Sequence, residues 1–178
     1  DHQAALFIAG TVYSRAERYG TSLAVFERIV KLNPKRHEAW SNCGMSLIEC
    51  GQPAKAAEMF RRAIEHDPRP SYMANLGAAY LTLGNYTEAT KWASKALAIE
   101  DSDGAHSVMG FAALAQGDWA KGWAGYERIL GGRFRKQVRI GDEPKWDGSQ
   151  VESLFIYGEQ GLGDEIMFAS ILPDAIPK

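Results

Sequence analysis

A chain of 178 residues has room for one compact domain and a fragment, or for a repeat array with an appendage. Its 46% hydrophobic and 24% charged residues exclude the disordered, collagen-like and disulfide-scaffold classes and point to a folded, soluble protein. With 20 Lys and Arg against 22 Asp and Glu, the formal charge of -2 creates no field that would recruit nucleic acid or an anionic membrane.

The opening DHQAALFIAG has no basic run ahead of it, so no signal peptide is read there. From this point the chain is self-similar: Gly10, Gly44, Gly77 and Gly110 stand 34, 33 and 33 residues apart, a period that marks a solenoid. Each glycine falls in the first of two amphipathic segments joined by a turn, so each copy reads as a helical hairpin. The first hairpin, residues 3–36, carries Leu6, Gly10, Tyr13, Ser22 and Phe26, with the turn expected at Tyr19-Gly20. The second, 37–69, carries Trp40, Gly44, Ala56, Phe60 and Ala63 and turns at Gly51-Gln52-Pro53. The third, 70–102, carries Leu76, Gly77, Tyr80, Ala89 and Ala96 and turns at Gly84-Asn85. The fourth, 103–133, is more degenerate, keeping Gly110, Trp119, Tyr126 and Ile129 around a Gly117-Asp118 turn.

Asn33-Pro34 and Asp67-Pro68 stop the second helices of the first two hairpins, because the residue before proline avoids the helical region and proline cannot extend the ladder. A softer boundary is expected at Glu100-Asp101. No hairpin of this kind buries its apolar face alone, so neighbours must stack. Cys43 and Cys50 are too far apart along one helix for a disulfide and read as reduced core thiols, which favours a cytoplasmic setting. His2, His37, His66 and His106 lack zinc-site spacing and read as surface or terminal side chains, so neither a metal nor a cofactor is expected.

The recurring Trp/Leu, Gly, Tyr, Ala and Phe positions, closed by proline, resemble the tetratricopeptide repeat. That resemblance implies an all-α, right-handed superhelix over residues 1–132, whose first helices line a concave groove for a protein or peptide. Carried onto this chain, the groove residues are Phe7, Thr11, Ser41, Asn42, Met45, Asn75, Ala78 and Phe111. The surface is small or apolar, unlike the basic groove with which some relatives clamp acidic C-termini. Asn42 and Asn75 resemble two rungs of the asparagine ladder of O-linked N-acetylglucosamine transferases, while Ile8 and Val108 take the matching places in the outer copies. An amide there can both donate to and accept from an extended peptide backbone; a purely local bond to its own helix is the competing reading.

Residues 133–150 read as a linker, its basic run Arg133, Arg135, Lys136 and Arg139 answered by Asp142 and Glu143. Residues 151–178 read as a βα unit: a strand at 154–157, a glycine loop, and a helix from Asp164 that stops before Pro173. The block WDG followed by FIYGEQGLGDEIMFASILP resembles the start of the glycosyltransferase-like domain that follows tetratricopeptide repeats in many bacterial proteins, similar to GT-B heptosyltransferases. The resemblance makes Asp164 the candidate general base. It covers only residues 144–178, so the chain itself is expected to have no enzymatic activity, whereas a longer parent could be a transferase. Self-association through the tail or the end repeat is a further expectation, since an unpaired apolar strand seeks a partner.

Overall fold

The computed structural model describes the backbone of residues 2–130 and the side chains of residues 2–125. The chain divides into two units between Phe134 and Arg135, and all described residues lie in the first. The βα unit expected over 151–178, Asp164 within it, and the side chain of Tyr126 lie outside the described residues.

Eight helices follow one another: α1 (His2–Arg15), α2 (Tyr19–Leu32), α3 (His37–Glu49), α4 (Pro53–His66), α5 (Pro70–Thr82), α6 (Tyr86–Leu97), α7 (Asp103–Ala115) and α8 (Trp119–Leu130). No strand occurs among the described residues. Each helix packs on the next in chain order, and α5 also touches α7, as a solenoid of hairpins requires. The odd-numbered helices are called A helices below and the even-numbered ones B helices.

Glycine lets A and B helices meet closely. A methyl group on Gly44 would sit 2.6 Å from the fully buried Phe60 ring, and one on Gly10 would sit 2.8 Å from Phe26. These two aromatics anchor the cores. One apolar cluster gathers Phe26, Ile29, Val30, Ala39 and Cys43; a larger one runs from Leu47 through Phe60, Leu76 and Tyr80 to Val108.

Three of the four hairpin turns use a glycine with positive φ, at Gly51 (70°), Gly84 (73°) and Gly117 (79°). In each, the glycine N–H and the next N–H fold back to carbonyls of the last helical turn, as Gln52 N to Leu47 O (2.8 Å) and Asn85 N to Tyr80 O (2.9 Å) show. The first hairpin departs from the expected Tyr19-Gly20 turn. Gly20 lies inside α2 with open space around it, and the left-handed position is taken by Glu17 at φ 57°. The same pair of bonds forms there, Glu17 N to Ser14 O and Arg18 N to Tyr13 O.

Helix starts also follow residue chemistry. Pro53 and Pro70 open α4 and α5, where a missing N–H costs nothing. Asn85 and Ser102 cap α6 and α7 by accepting from the N–H groups of Glu88 and Ala105. The cysteines separate: Cys43 is buried as expected, but Cys50, at the C-cap of α3, is exposed and not a core thiol. Among the described residues, no helix is long and apolar enough to cross a membrane.

Candidate functional site

One row of side chains repeats along the A helices with the period of the array: Thr11 on α1, Met45 on α3, Ala78 on α5 and Phe111 on α7. Met45 is 44% exposed and Phe111 41%. Ala78 is half-buried, packed on the larger core cluster, and its carbonyl accepts from Thr82 Oγ1. Thr11 Oγ1 donates to Phe7 O at 3.0 Å, a local bond to its own helix. The row thus carries two large apolar side chains between small ones and no charge.

The remaining groove candidates divide between surface and core. Ser41 is buried. Phe7 stands edge-on to Phe26, with ring centroids 5.4 Å apart, and the Arg36 guanidinium lies 4.6 Å from the Phe7 centroid. Phe7 is therefore partly buried against the first core cluster, and a ligand would meet an Arg-covered ring. Asn42 Nδ2 donates to Glu38 O at 2.8 Å, which leaves its Oδ1 as an unused acceptor among the described residues. Asn75 is half-buried and its amide makes no hydrogen bond there. At the matching place on α7, Val108 is buried against Gly77: a methyl group on Gly77 would approach Val108 Cγ1 to 3.3 Å. This position therefore lies beside the seam between consecutive hairpins.

A polar cluster at that seam was not read from the sequence. His37, at the start of α3, hydrogen-bonds the Tyr72 hydroxyl through Nδ1 at 2.9 Å, and its Nε2 lies 3.3 Å from Asp67 Oδ2 and 3.7 Å from Glu38 Oε1. Arg69 Nε donates to the same Asp67 carboxylate at 2.6 Å. His37 is thus a half-buried bridge between α3 and α5, not the surface side chain that its spacing suggested. Burial pushes the Tyr72 phenol above its ordinary range, against a smaller lowering by the Arg69 charge. A second link joins Arg61 of α4 to the Tyr80 hydroxyl of α5, with the guanidinium also 5.6 Å from the ring centroid. For the first link alone there was an advance signal, since His37, Asp67 and Tyr72 all fall close to hairpin boundaries, whereas Arg61 and Tyr80 lie inside α4 and α5.

No group of His, Cys, Asp and Glu that could hold a metal ion exists among the described residues. The described residues thus set an uncharged row along the A helices, with Asn42 and Asn75 beside it and polar bridges that link neighbouring hairpins.

Comparison with known proteins agrees with this architecture. Residues 43–105 match the tetratricopeptide repeat family. The chain is 29% identical over 173 residues to protein FlbA of Caulobacter vibrioides, covering 89% of this chain and 28% of FlbA. It is 26% identical over 103 residues to the peroxisomal targeting signal receptor of Candida glabrata, covering 56% of this chain and 17% of that protein. The chain thus spans less than a third of the length of either relative. Among solved structures, a fragment of MamA from Desulfovibrio magneticus RS-1 superposes with a TM-score of 0.64 at 18% identity, covering 72% of this chain and 74% of that one. The tetratricopeptide superhelix is the shared fold.

Proposed function

We propose that this chain is a protein-interaction scaffold that binds a peptide or helix along the row of its A helices. The observation that carries the reading is the uncharged row Thr11, Met45, Ala78 and Phe111, with Met45 44% exposed at its middle. An exposed apolar row between small residues suits the apolar side chains of a partner segment. Asn42 and Asn75 stand beside it with amide capacity to spare, as recognition of a peptide backbone requires. The fold supports the class of function, since arrays of this kind present extended surfaces for binding.

The test is a peptide-display library panned against the full chain. Selected peptides should bind Met45→Asp and the pair Asn42→Ala/Asn75→Ala about tenfold or more weakly, equivalent to about 1.4 kcal/mol. Melting temperatures should stay within about 1–3 °C of the parent, a loss of about 1 kcal/mol at most for an array of this size. Equal binding to parent and variants would refute the groove.

A second reading makes the array the N-terminal part of a longer transferase with Asp164 as base. The overlap with FlbA takes in 89% of the chain, more than residues 2–130 hold, so the likeness to that longer protein extends past the repeats; the transfer chemistry itself rests on the resemblance of residues 144–178 alone. Sugar transfer by the longer protein, abolished by Asp164→Asn with folding intact, is its test.

A further inference from the structure

Each internal A helix carries three rungs along one face, of which the first and third are buried throughout. At the first rung stand Ala39, Tyr72 and Ala105, exposed by 0, 7 and 0%. At the third stand Ser46, Ala79 and Ala112, exposed by 1, 0 and 0%. Between them Asn42 and Asn75 are half-buried and Val108 is 3% exposed. The repeat period carries these rungs onto Ala5, Ile8 and Val12 of α1. There the same face is open: Ala5 is exposed, Ile8 is 64% exposed and Val12 57%.

An end repeat built to face water has a polar outer face. The rungs of α1 are instead Ala, Ile and Val in one helical stripe, and the helix holds no charged residue before Arg15 apart from the titratable His2. We propose that this stripe is the seat for the B helix of a further hairpin of the same repeat, stacked ahead of α1 as α2 is stacked ahead of α3. The match is closest to that junction. Ala5 and Ala9 of α1 correspond to Ala39 and Cys43 of α3, small residues that pack in one cluster with Phe26, Ile29 and Val30 of α2. A second copy of the chain is the weaker occupant: one stripe of three side chains falls far short of the roughly 800 Å² per partner that a stable dimer buries. A hairpin joined in tandem needs no such area, because its local concentration is set by the connection.

The experiment adds a second copy of residues 3–36 directly ahead of Gln3 in the full chain, which keeps the 34-residue spacing of Gly10 and Gly44. Val12→Cys is introduced at the original position in a Cys50→Ser background, with Ala24→Cys as an exposed control on α2. Maleimide labelling at position 12 should slow about tenfold or more on adding the hairpin, with labelling at position 24 unchanged. The melting temperature should rise by about 5 °C or more. Ile8→Lys in the extended chain should restore fast labelling. Undiminished labelling at position 12, whether or not the added hairpin is helical, overturns the proposal. So does protection that survives Ile8→Lys. If light scattering instead finds that the unextended chain is a dimer and that Val12→Glu makes it a monomer, the seat belongs to a second copy and the proposal falls.

Discussion

Ser22 occupies a place where this repeat elsewhere carries alanine, as at Ala56 and Ala89, and its hydroxyl explains the difference. Ser22 Oγ donates to Gly10 O at 3.0 Å and accepts from Ser46 Oγ at 3.1 Å, with both serines almost fully buried. Three helices are thus joined by two hydroxyls that have no water to fall back on. Ser22→Ala strands the Ser46 hydroxyl and should cost about 1–3 kcal/mol, while Ser46→Ala, which leaves the bond to Gly10 intact, should cost about 0.5–1.5. The double variant should cost clearly less than the sum, because no buried hydroxyl is then left unpaired. Urea midpoints measure all three, and strict additivity would show that the hydroxyls are uncoupled in solution. Cys43 adds a pH dependence at the same scale. Burial, helped by the Glu27 charge, pushes its thiol from 9.0 up to about 12. The folded state then holds this proton more tightly than the unfolded chain does. Its contribution is fully present below about pH 9 and is lost as pH rises towards about 12, by at most about 1.4 kcal/mol per pH unit. The raised Tyr72 phenol acts in the same direction above the ordinary phenol value of 10.0. Unfolding free energies measured from pH 8 to 11 should therefore fall with pH, and Cys43→Ala should flatten the slope. A slope unchanged in that variant would assign the loss to other groups.

At the scale of the element, the turns separate what glycine spacing can and cannot locate. Gly51, Gly84 and Gly117 were legible because a left-handed residue after a helix favours the side chain without a Cβ. The first turn was misplaced for the same reason: the visible glycine, Gly20, sits in a helix where nothing crowds it, while Glu17 adopts the strained conformation. Local composition cannot show that, since the strain is imposed by the packing of α1 on α2. A left-handed residue with a Cβ costs roughly 1–2 kcal/mol, part of which glycine gives back as unfolded-chain entropy. Glu17→Gly should therefore stabilise the chain by about 0.5–1 kcal/mol, and a thermal melt would read it as an upward shift. A downward shift would mean that the Glu17 side chain contributes more than its backbone strain costs. The proline stops and the A/B pairing were legible on the same terms, as local effects within a few residues. The His37–Tyr72–Asp67 bridge was not, because its partners lie 30 and 35 positions apart and only stacking brings them together. Likewise the row of Thr11, Met45, Ala78 and Phe111 followed from periodicity, but Phe7 was placed on it without sight of Phe26 and Arg36, which cover its ring.

The whole array inherits its mechanics from contacts that run only between neighbours. Every helix touches the next, and α5 with α7 is the strongest exception to chain order. Its apolar residues fall into two clusters, the smaller centred on Phe26 and the larger extending from Leu47 to Val108, with Leu23 and Met59 touching both. Stability in such a chain is a sum of hairpin terms and interface terms, so a local loss should stay local unless an interface is strong enough to carry it. Phe26→Ala tests this directly, since Phe26 is 1% exposed and fills the space over Gly10. Its removal should cost about 3–5 kcal/mol at the site. Hydrogen exchange read by mass spectrometry should then show protection in α1, α2 and α3 falling by roughly a hundredfold or more, in step with that cost. Protection in α5, α6 and α7 should stay within about threefold of the parent, because none of these helices draws on the smaller cluster. An equal loss throughout residues 2–130 would show instead that Leu23 and Met59 couple the two clusters into one cooperative unit, and that a partner bound at Met45 would be felt as far as α7.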